Sequence, residues 1–419
     1  MRVLVVGSGA REHAIAWKLT QSAAVTQVYC APGNGGTATL PKCQNISYHL
    51  QDFEGMRRFA LVQGVQLTVV GPETPLAGGI VDYFREENLW IFGPDRIGAQ
   101  IEASKHWAKT LMQEVGVPTA AFATFTEAAA AIAYVRQQGA PIVIKDDGLA
   151  AGKGVTVAQT LEEAEGAIAQ LFAQGPRRIV VEEFMDGEEV SVLALTDGET
   201  ILPLVPAQDR KRLQDGDRGP NTGGMGACAP TRFLDAAGLA KVEATILRPV
   251  VQAFRQRGID YRGCLYAGLM VRPDGRIQVV EFNCRLGDPE TQVVLPLLAS
   301  PLEELLLACV ERQLHRVAPQ WHPGVAVGVV LASEGYPGPG TTGQFITGVG
   351  KAESLGARVF HAGTKQKNGA LVTAGGRVLT VVGQADHWEG AIAQAYSGVE
   401  AIAFDGVQYR RDIGSRERA

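Results

Sequence analysis

The sequence predicts a multidomain α/β protein, with a doubly wound parallel sheet at its N-terminal end, a core of two α+β subdomains, and a small mixed α/β domain at its C-terminal end. Three observations predict this class. The chain has 419 residues, which is too many for one hydrophobic core. Strand and helix patterns alternate through the first 100 residues, as in parallel sheets. Residues 122–190 then give the pattern of a small α+β unit, and residues 325–410 that of short strands closed by one helix.

The composition is that of a water-soluble globular protein, with 46% hydrophobic and 20% charged residues. The net charge is -5, so neither a nucleic acid nor a membrane surface is expected as a partner. The six cysteines form no CxxC pair and the seven histidines show no ligand spacing, so we expect neither a disulfide framework nor a zinc site. The chain opens on a strand, and prolines interrupt its most apolar stretch, residues 293–310. We therefore expect no signal peptide, no membrane span and a cytoplasmic location.

The first 100 residues contain a glycine-rich turn, Gly7–Glu12, between a strand and a helix. Strands are predicted at Val3–Val6, Val25–Cys30, Leu67–Val70 and Trp90–Phe92, and helices at Glu12–Gln21, Phe53–Gln63 and Ile80–Glu87. The turn resembles a dinucleotide fingerprint, but Glu12 replaces the third glycine and no acidic residue ends the second strand, which disfavours an oxidoreductase. Such a turn can still bind a phosphate, or it is a tight turn without a ligand. The loop Gly71–Glu73 is expected at the same ligand-binding edge of the sheet.

Residues 141–155 form a lysine-containing hairpin. A strand ends in Lys145, and the following loop contains Gly152, Lys153 and Gly154. Small residues let the backbone approach phosphates, and lysines neutralise them. The spacing is not that of a Walker A loop, because the loop joins two strands. A flexible hairpin without a ligand is the alternative. Upstream, Ser104 is predicted to cap a helix that carries Lys105 in its first turn.

A polar strand near residue 281 is the strongest candidate for chemistry. Alternation places Glu281, Asn283 and Arg285 on one face. Carboxylate and amide oxygens suit Mg²⁺, and a guanidinium suits a phosphoryl group during transfer. A solvated edge strand is the alternative. The long loop region of residues 208–226 is predicted to be functional or disordered.

Five segments, in order along the chain, resemble the ATP-grasp superfamily and, more closely, the glycinamide ribonucleotide synthetases (phosphoribosylamine–glycine ligases). They are Ala31–Asn34, Gly148–Gly154, Asn221–Gly226, Arg285–Glu290 and His361–Thr364. The resemblance runs from Met1 to about Arg416. It implies an ATP-grasp core and four units: residues 1–102, an N-terminal α/β domain; 103–121 with 191–324, the main ATP-grasp subdomain; 122–190, the lid; and 325–419, the C-terminal domain.

The resemblance also implies an activity: ATP, glycine and 5-phosphoribosylamine give ADP, phosphate and glycinamide ribonucleotide through a glycyl phosphate, an early step of purine synthesis. The implied catalytic residues are Arg285, Lys145 and Lys153. The implied ATP-binding residues are Lys105, Lys145, Gly152, Lys153, Gly154, Glu182, Glu183, Phe184 and Glu189, with Gly152–Gly154 as the lid over the phosphates, Glu182–Phe184 beside the adenine and Glu189 at the ribose. Magnesium or manganese is implied at Glu281 and Asn283.

Substrate-binding residues are expected in several segments of the chain. They are Gly9, Arg11, Asp209, Asn221, Thr222, Gly223, Gly224, Arg285, Asp288, Arg410 and Arg411. Within this set we place the sugar phosphate between the first glycine turn and the two arginines near the end of the chain, because a helix N-terminus and guanidinium groups bind phosphate. A monomer is expected, and a transient contact with the enzyme that forms phosphoribosylamine is left open.

The sequence departs from the family pattern at several points. Ala267–Leu269 offers no carboxylate on the strand before the polar strand, which argues against a two-carboxylate metal site. Asp146 stands where alanine is expected, Arg210 stands where histidine is expected, and residues 173–178 form a shortened loop. Two alternatives therefore remain: an ATP-grasp carboxylase acting on a purine precursor, and a nucleotide-binding protein without catalysis.

Overall fold

The computed structural model describes residues 1–149 and 154–418. The N-terminal residues form a five-stranded parallel sheet, as the alternating pattern predicted. The strands, in spatial order, are Cys43–Asn45, Gln27–Pro32, Arg2–Gly7, Leu67–Val70 and Ile91–Phe92. The helices are Ala10–Thr20, Phe53–Gln63, Glu73–Gly78 and Ile80–Arg85, with a 3-10 turn at Thr37–Thr39. Because strands are added first on one side of the central strand Arg2–Gly7 and then on its other side, the loops after that strand and after Leu67–Val70 meet at one edge of the sheet.

The helix that carries Lys105 is preceded by a separate short helix, and Ser104 lies between the two. Ser104 is extended and separates a short helix, Gln100–Ala103, from the helix Lys105–Glu114. The Ser104 hydroxyl accepts a hydrogen bond from the Trp107 N–H at 3.1 Å. This cap confirms the predicted helix start and fixes Lys105 in the first turn.

Residues 122–183 contain a four-stranded antiparallel sheet, which we call the lid sheet. In spatial order its strands are Phe122–Phe125, Ile179–Glu183, Ile142–Asp146 and Val155–Ala158. The helices Ala128–Gln138 and Leu161–Phe172 cover one face, packing on a set of buried apolar side chains that includes Ile142, Ile144, Ile179 and Val181. Alternation along the strands therefore places Lys145 and Glu182 on the opposite face.

A second antiparallel sheet, which we call the central sheet, has the strand order Ile201–Pro203, Glu188–Thr196, Gly263–Val271 and Ile277–Asn283. Gly268 pairs with Glu281 but Leu269 pairs with Val279, so Val280 is the extra residue of a β-bulge. Residues 236–256 form two helices, Ala236–Val242 and Arg248–Gln256, which are joined by a π-helical turn, Glu243–Leu247. Two further helices and a 3-10 turn follow the polar strand: Glu290–Leu297, Leu302–Val310 and Leu314–Arg316.

The third large sheet, the C-terminal sheet, takes strands from two separate parts of the chain. Its spatial order is Gln208–Asp209, Gly226–Ala229, Val325–Ala332, Arg377–Ala385 and Arg358–His361. Val349–Ser354 and Trp388–Ala401 are its helices, and Ser415–Arg418 is a 3-10 turn. Two small hairpins pair Arg212–Gln214 with Arg218–Asn221, and Thr364–Lys367 with Ala370–Thr373. The first two strands of the sheet lie in the region where the sequence predicted only a long loop.

None of the helices in residues 1–149 and 154–418 has the length and apolar character to cross a membrane. All six cysteines have free thiols. Apolar side chains of the N-terminal and central sheets pack into shared cores, and Val279 and Phe282 of the polar strand lie in one of these cores.

Candidate active site

A cleft of about 710 Å³ lies between the lid sheet, the central sheet and the N-terminal loops. It brings together most of the predicted site residues: Arg11, Lys105, Lys145, Gly154, Glu182, Glu183, Phe184, Glu189, Asp209, Asn221, Thr222, Gly223, Glu281, Asn283, Arg285 and Asp288. Gly152 and Lys153 lie outside the described residues. Two predicted glycines adjoin the cleft without lining it. A side-chain carbon at Gly9 would come within 3.5 Å of Asp288, and one at Gly224 within 2.7 Å of Asp209.

Part of the cleft wall is apolar. The side chains that form it include Ala108, Met112, Val143, Val157, Phe184, Met185, Met270 and Phe282. Apolar walls with a few polar groups are typical of nucleotide-base pockets. Glu189, predicted at the ribose, forms an ion pair with Lys211 in the same cleft. The sequence analysis did not single out Lys211, because it lies among several basic residues in a loop region.

Glu182 holds two lysines inside the cleft. Its carboxylate lies 3.0 Å from the Lys145 ammonium and 2.8 Å from that of Lys109, and none of the three side chains is more than 5% exposed. Burial lowers the pKa of Lys109 to about 8, although Glu182 opposes this shift. Lys109 was missed, although it lies on the same stripe as the buried residues Ala108 and Met112, a place where a lysine requires a partner. The Glu182 carboxylate thus fixes Lys145.

Glu281 is surrounded by positive charge. The Lys211 ammonium lies 3.6 Å from its carboxylate. Lys145 donates at 3.1 Å to the carbonyl of the bulge residue, Val280. Burial alone would raise the pKa of Glu281, but Lys211, Lys145 and Lys105 together lower it to about 2. The carboxylate is therefore ionised at neutral pH, and the excess of ammonium groups suits a polyphosphate.

The oxygen donors on the polar strand fit a hard divalent cation. Glu281 and Asn283 lie on one face of the strand and supply a carboxylate and an amide oxygen. The residue paired with Glu281 is Gly268, so the neighbouring strand adds no second carboxylate, as the sequence predicted. Within the described ranges, no cluster of three or more His, Cys, Asp or Glu side chains could hold a metal. The donor set therefore fits an ion that takes its remaining ligands from phosphate and water.

Arg285 is fixed by carboxylates of two short helices, Glu73–Gly78 and Gln100–Ala103. Its guanidinium lies 3.1 Å from Glu73 and 2.9 Å from Glu102, and it donates to the Asn283 side-chain oxygen at 3.1 Å. Burial would lower the pKa of Arg285, but Glu102 and Glu73 raise it well above its ordinary value. The Gly71–Glu73 loop was predicted at this edge. Glu102 was missed, because nothing in its local sequence connects it to a residue 183 positions later.

The Glu73–Arg285 pair predicts an acid sensitivity. Burial raises the pKa of Glu73, but the charges of Arg285 and Arg11, together with hydrogen bonds from Arg285 and the backbone, outweigh burial, and the pKa falls from 4.5 to about 2. A depressed carboxylate pKa contributes stability above pH 4.5 that is lost as the pH falls towards 2. Glu73→Gln should therefore lower the stability by about 3 kcal/mol at pH 7, and the difference from wild type should shrink by about 2 kcal/mol at pH 3.

Thermal unfolding at pH 7 and pH 3 measures this difference. The exposed Glu86 of the same domain is the matched control, and Glu86→Gln should follow wild type at both pH values. A Glu73→Gln deficit that is equal at pH 7 and pH 3 would contradict the assignment.

Two carboxylates meet at another part of the cleft. Glu290 is 2% exposed, and it accepts hydrogen bonds from Ser191 at 2.7 Å and from Tyr266 at 2.8 Å. Burial, and then the charge of Glu290, raise the pKa of Asp209 well above its ordinary value. In the described part of the chain, the buried Oδ1 of Asp209 has no hydrogen-bond partner. A cationic donor could bond to this Asp209 oxygen and offset the repulsion between the two carboxylates. Glu290 was missed, although it ends the segment Arg285–Glu290.

The first glycine turn binds a carboxylate of the helix that follows it, that of Glu12. The Glu12 carboxylate accepts a hydrogen bond from the Gly9 N–H at 2.6 Å and from Arg11 at 2.5 Å. A side-chain carbon at Gly7 would lie 2.5 Å from Glu12, so glycine is needed there to make room for this carboxylate. The residue that departs from the dinucleotide fingerprint thus fills the space where a phosphate would lie in that fold.

The predicted contact between Arg410 and the sugar phosphate is wrong. Its guanidinium is 1% exposed, and all three of its nitrogens already donate hydrogen bonds, to Asp412, Asp217 and the Arg212 carbonyl. No donor nitrogen is left unengaged for a phosphate. Arg411 does not line the cleft either, because its guanidinium lies over the Tyr409 ring and its backbone N–H donates to Asp215. The C-terminal arginines instead hold the Arg212–Asn221 hairpin.

Two departures from the family pattern have local partners. Asp146 forms a 3.0 Å ion pair with Arg177, which lies in the shortened segment of residues 173–178. Arg210 is 7% exposed and donates to Gln208 at 2.8 Å. Each replacement therefore has a structural role close to the cleft.

The fold and the cleft together define a class of protein. An N-terminal parallel sheet precedes two antiparallel sheets that enclose a lysine-lined cleft, and a Glu-x-Asn-x-Arg segment forms the floor of that cleft. This is the arrangement of ATP-grasp enzymes, which use ATP together with a divalent metal ion.

Comparison with known proteins narrows the class. Domain models of phosphoribosylglycinamide synthetase match residues 1–102 (N domain), 103–291 (ATP-grasp (A) domain) and 326–416 (C domain). This chain therefore belongs to the phosphoribosylglycinamide synthetase family. A phosphoribosylamine–glycine ligase of Nostoc sp. is 58% identical, and one of Ralstonia nicotianae is 51% identical, each over 99% of both chains.

Solved structures agree with this family. The crystal structure of phosphoribosylamine–glycine ligase from Thermotoga maritima matches with a TM-score of 0.82 and 34% identity, covering 98% of this chain and 100% of that chain. A biotin carboxylase domain from Hydrogenobacter thermophilus matches with a TM-score of 0.72 and 17% identity, over 97% of this chain and 91% of that chain, and shares the fold alone.

Proposed function

We propose that this protein uses ATP to join glycine to 5-phosphoribosylamine, which gives glycinamide ribonucleotide, ADP and phosphate in purine synthesis. The observation that carries the proposal is the ionised Glu281, which lies among Lys105, Lys145 and Lys211 beside a fixed Arg285. This is a site for a polyphosphate and a cation, not for a neutral ligand. The names of relatives that are 46–58% identical over 99% of the chain support the substrates.

In the first step a glycine carboxylate oxygen attacks the γ-phosphorus of ATP, and ADP leaves. Lys105 and Lys145 would hold the phosphates, and Gly152–Gly154 are predicted to cover them. Arg285 would stabilise the phosphoryl group in transfer, since its guanidinium is already oriented by two carboxylates. Mg²⁺ or Mn²⁺, held by Glu281 and Asn283, would neutralise charge on the phosphate oxygens.

Glycine needs a partner for its ammonium group while its carboxylate reacts. Asp209 and Glu290 are the candidates, because they are two close carboxylates and one of them has an unsatisfied oxygen in the described structure. A bound ammonium would donate to that oxygen and remove the repulsion between the two acids. This arrangement would select an amino acid over a simple carboxylic acid.

In the second step the amine of phosphoribosylamine attacks the glycyl carbonyl carbon, and inorganic phosphate leaves as the new C–N bond forms. Closure of the lid sheet would keep water from the acyl phosphate. Arg11, Asn221, Thr222, Gly223 and Asp288 stay predicted substrate-binding residues, and the first glycine turn stays the predicted site of the sugar phosphate. The cytoplasmic location, the monomeric state and the contact with an upstream enzyme stay predictions.

Omitting each substrate in turn tests the reaction. ADP release should require ATP, glycine and phosphoribosylamine together. With hydroxylamine in place of the sugar amine, glycine-dependent ADP release should yield glycyl hydroxamate, because hydroxylamine traps an acyl phosphate. Stimulation by bicarbonate instead of glycine would support a carboxylase, and the absence of turnover with bound ATP would support a binding protein.

The same assay tests the glycine contacts. Asp209→Asn should raise the KM for glycine at least about tenfold, since a hydrogen bond to a charged group contributes roughly 1.5–3 kcal/mol. The KM for ATP should stay within about twofold. If Asp209→Asn leaves the KM for glycine unchanged, the ammonium lies elsewhere.

A further inference from the structure

Arg377 is a cleft residue that comes from the C-terminal sheet. It is the first residue of the strand Arg377–Ala385 and lines the cleft together with Gly223 and Asp288. Its guanidinium forms a 3.0 Å ion pair with the Asp288 carboxylate and donates at 3.0 Å to the Asp288 carbonyl. The same guanidinium donates a third hydrogen bond, to the carbonyl of Gly223. One side chain thus ties two separate segments of the cleft wall together.

Tyr336 completes the hold on the same peptide segment. Its hydroxyl accepts a hydrogen bond from the Gly223 N–H at 2.8 Å. The C-terminal domain therefore binds Gly223 at both its N–H and its carbonyl group. Gly223 and Gly224 together lack side chains that would restrain their backbone, and Gly224 has φ near +110°, so external contacts must fix this segment. Glycine at residue 224 also lets the backbone pass close to Asp209.

The charge around Arg377 supports a positioning role. Burial would lower the pKa of Arg377, but Asp288 is the main group that raises it. In return, Arg377 and Arg11 lower the pKa of Asp288 against the effect of burial. Asp288 is thereby kept ionised, with its carboxylate oriented beside the first glycine turn.

We propose that Arg377, assisted by Tyr336, is a positioning residue for the acceptor substrate: it orients the Asp288 carboxylate and the Gly223 peptide to receive the hydroxyl and amine groups of a sugar amine. This inference rests on the proposed function. It assigns the C-terminal domain to the second step of the reaction, transfer of the glycyl group to the amine, and not to the formation of the acyl phosphate. The Arg377 guanidinium bonds to Gly223, Gly224 and Asp288, whereas the ATP phosphates are proposed to lie beside Lys105 and Lys145.

Two readouts separate this role from a structural one. In Arg377→Met the KM for phosphoribosylamine, generated from ribose 5-phosphate and ammonia, should rise at least about tenfold, since three charge-assisted contacts are lost. The KM for ATP should stay within about twofold, and glycyl hydroxamate formation with hydroxylamine should stay within about threefold. Tyr336→Phe should shift the KM for phosphoribosylamine in the same direction by a smaller factor.

Arg377→Lys and a surface variant serve as controls. Lysine keeps the charge but cannot bond both segments at once. In Arg377→Lys the KM for phosphoribosylamine should therefore lie between the values of wild type and Arg377→Met. Lys367→Met, exposed on the same domain, should match wild type. Equal losses in hydroxamate formation and in the full reaction would overturn the proposal, as would an unchanged KM for phosphoribosylamine. Loss of glycine-dependent ADP release in wild type would instead overturn the proposed function.

Discussion

Replacing Arg285 by methionine should lower kcat about a thousandfold, with a much smaller change in the KM for ATP. The reason is that Glu73, Glu102 and Asn283 hold the guanidinium in place before substrate arrives. An arginine that stabilises a transferring phosphoryl group contributes about 10³–10⁵ to kcat, and a preorganised donor about 10²–10³. Initial rates of ADP release with saturating ATP, glycine and phosphoribosylamine measure the effect.

A lysine at this position tests whether charge alone is enough. Lysine cannot bond two carboxylates and an amide oxygen in the geometry of a guanidinium, so Arg285→Lys should recover only a small part of the rate. Arg276→Met is the matched control, because Arg276 is exposed on the turn that precedes the same strand. A kcat for Arg285→Met within tenfold of wild type would show that the guanidinium does not act on the phosphoryl group.

Replacing Glu182 by alanine should destabilise the protein by roughly 3–5 kcal/mol, because it leaves Lys145 and Lys109 buried without their shared carboxylate. The thermal midpoint should fall by about 5 °C. Raising the pH from 7 to 9 should return part of the loss, since the unpaired lysines can then release their protons. Scanning calorimetry at both pH values measures the midpoint and its pH dependence.

The neighbouring residue provides the control. Glu183 follows Glu182 on the same strand but is exposed, so Glu183→Ala should shift the midpoint by no more than about 2 °C. A similar small shift for Glu182→Ala would mean that the two lysines find other partners. Glu182→Ala should also lower the affinity for ATP, because Lys145 is no longer fixed beside Val280.

Much of the fold followed from local patterns. Alternating strands and helices gave the N-terminal sheet, and a serine before a helical stripe gave the cap at Ser104, because both signals depend on neighbouring residues. The polar face of Glu281 and Asn283 was also visible, since alternation along a strand is a local property. The bulge at Val280 was not, because it depends on the pairing register with a second strand.

The rest depended on contacts between distant residues. Glu102, Glu290 and Arg377 acquire their roles only from partners far along the chain, so no window of sequence contains the signal. Two strands of the C-terminal sheet, Gln208–Asp209 and Gly226–Ala229, are short and have many loop-forming neighbours. The first pairs with the second, and the second pairs with the distant strand Val325–Ala332. The clamp predicted at Arg410 failed because nearby aspartates in the folded chain already use its donors.

Because the C-terminal sheet contains strands from residues 208–229, a cut between residues 229 and 325 divides this sheet between two fragments. A break near residue 325 would strip Gly226–Ala229 from Val325–Ala332 and leave an open strand edge on each fragment. Fragments made this way would be prone to aggregate unless they were produced together and reassembled. A tag or fusion partner should therefore be attached at an end of the chain and not between its second and third domains.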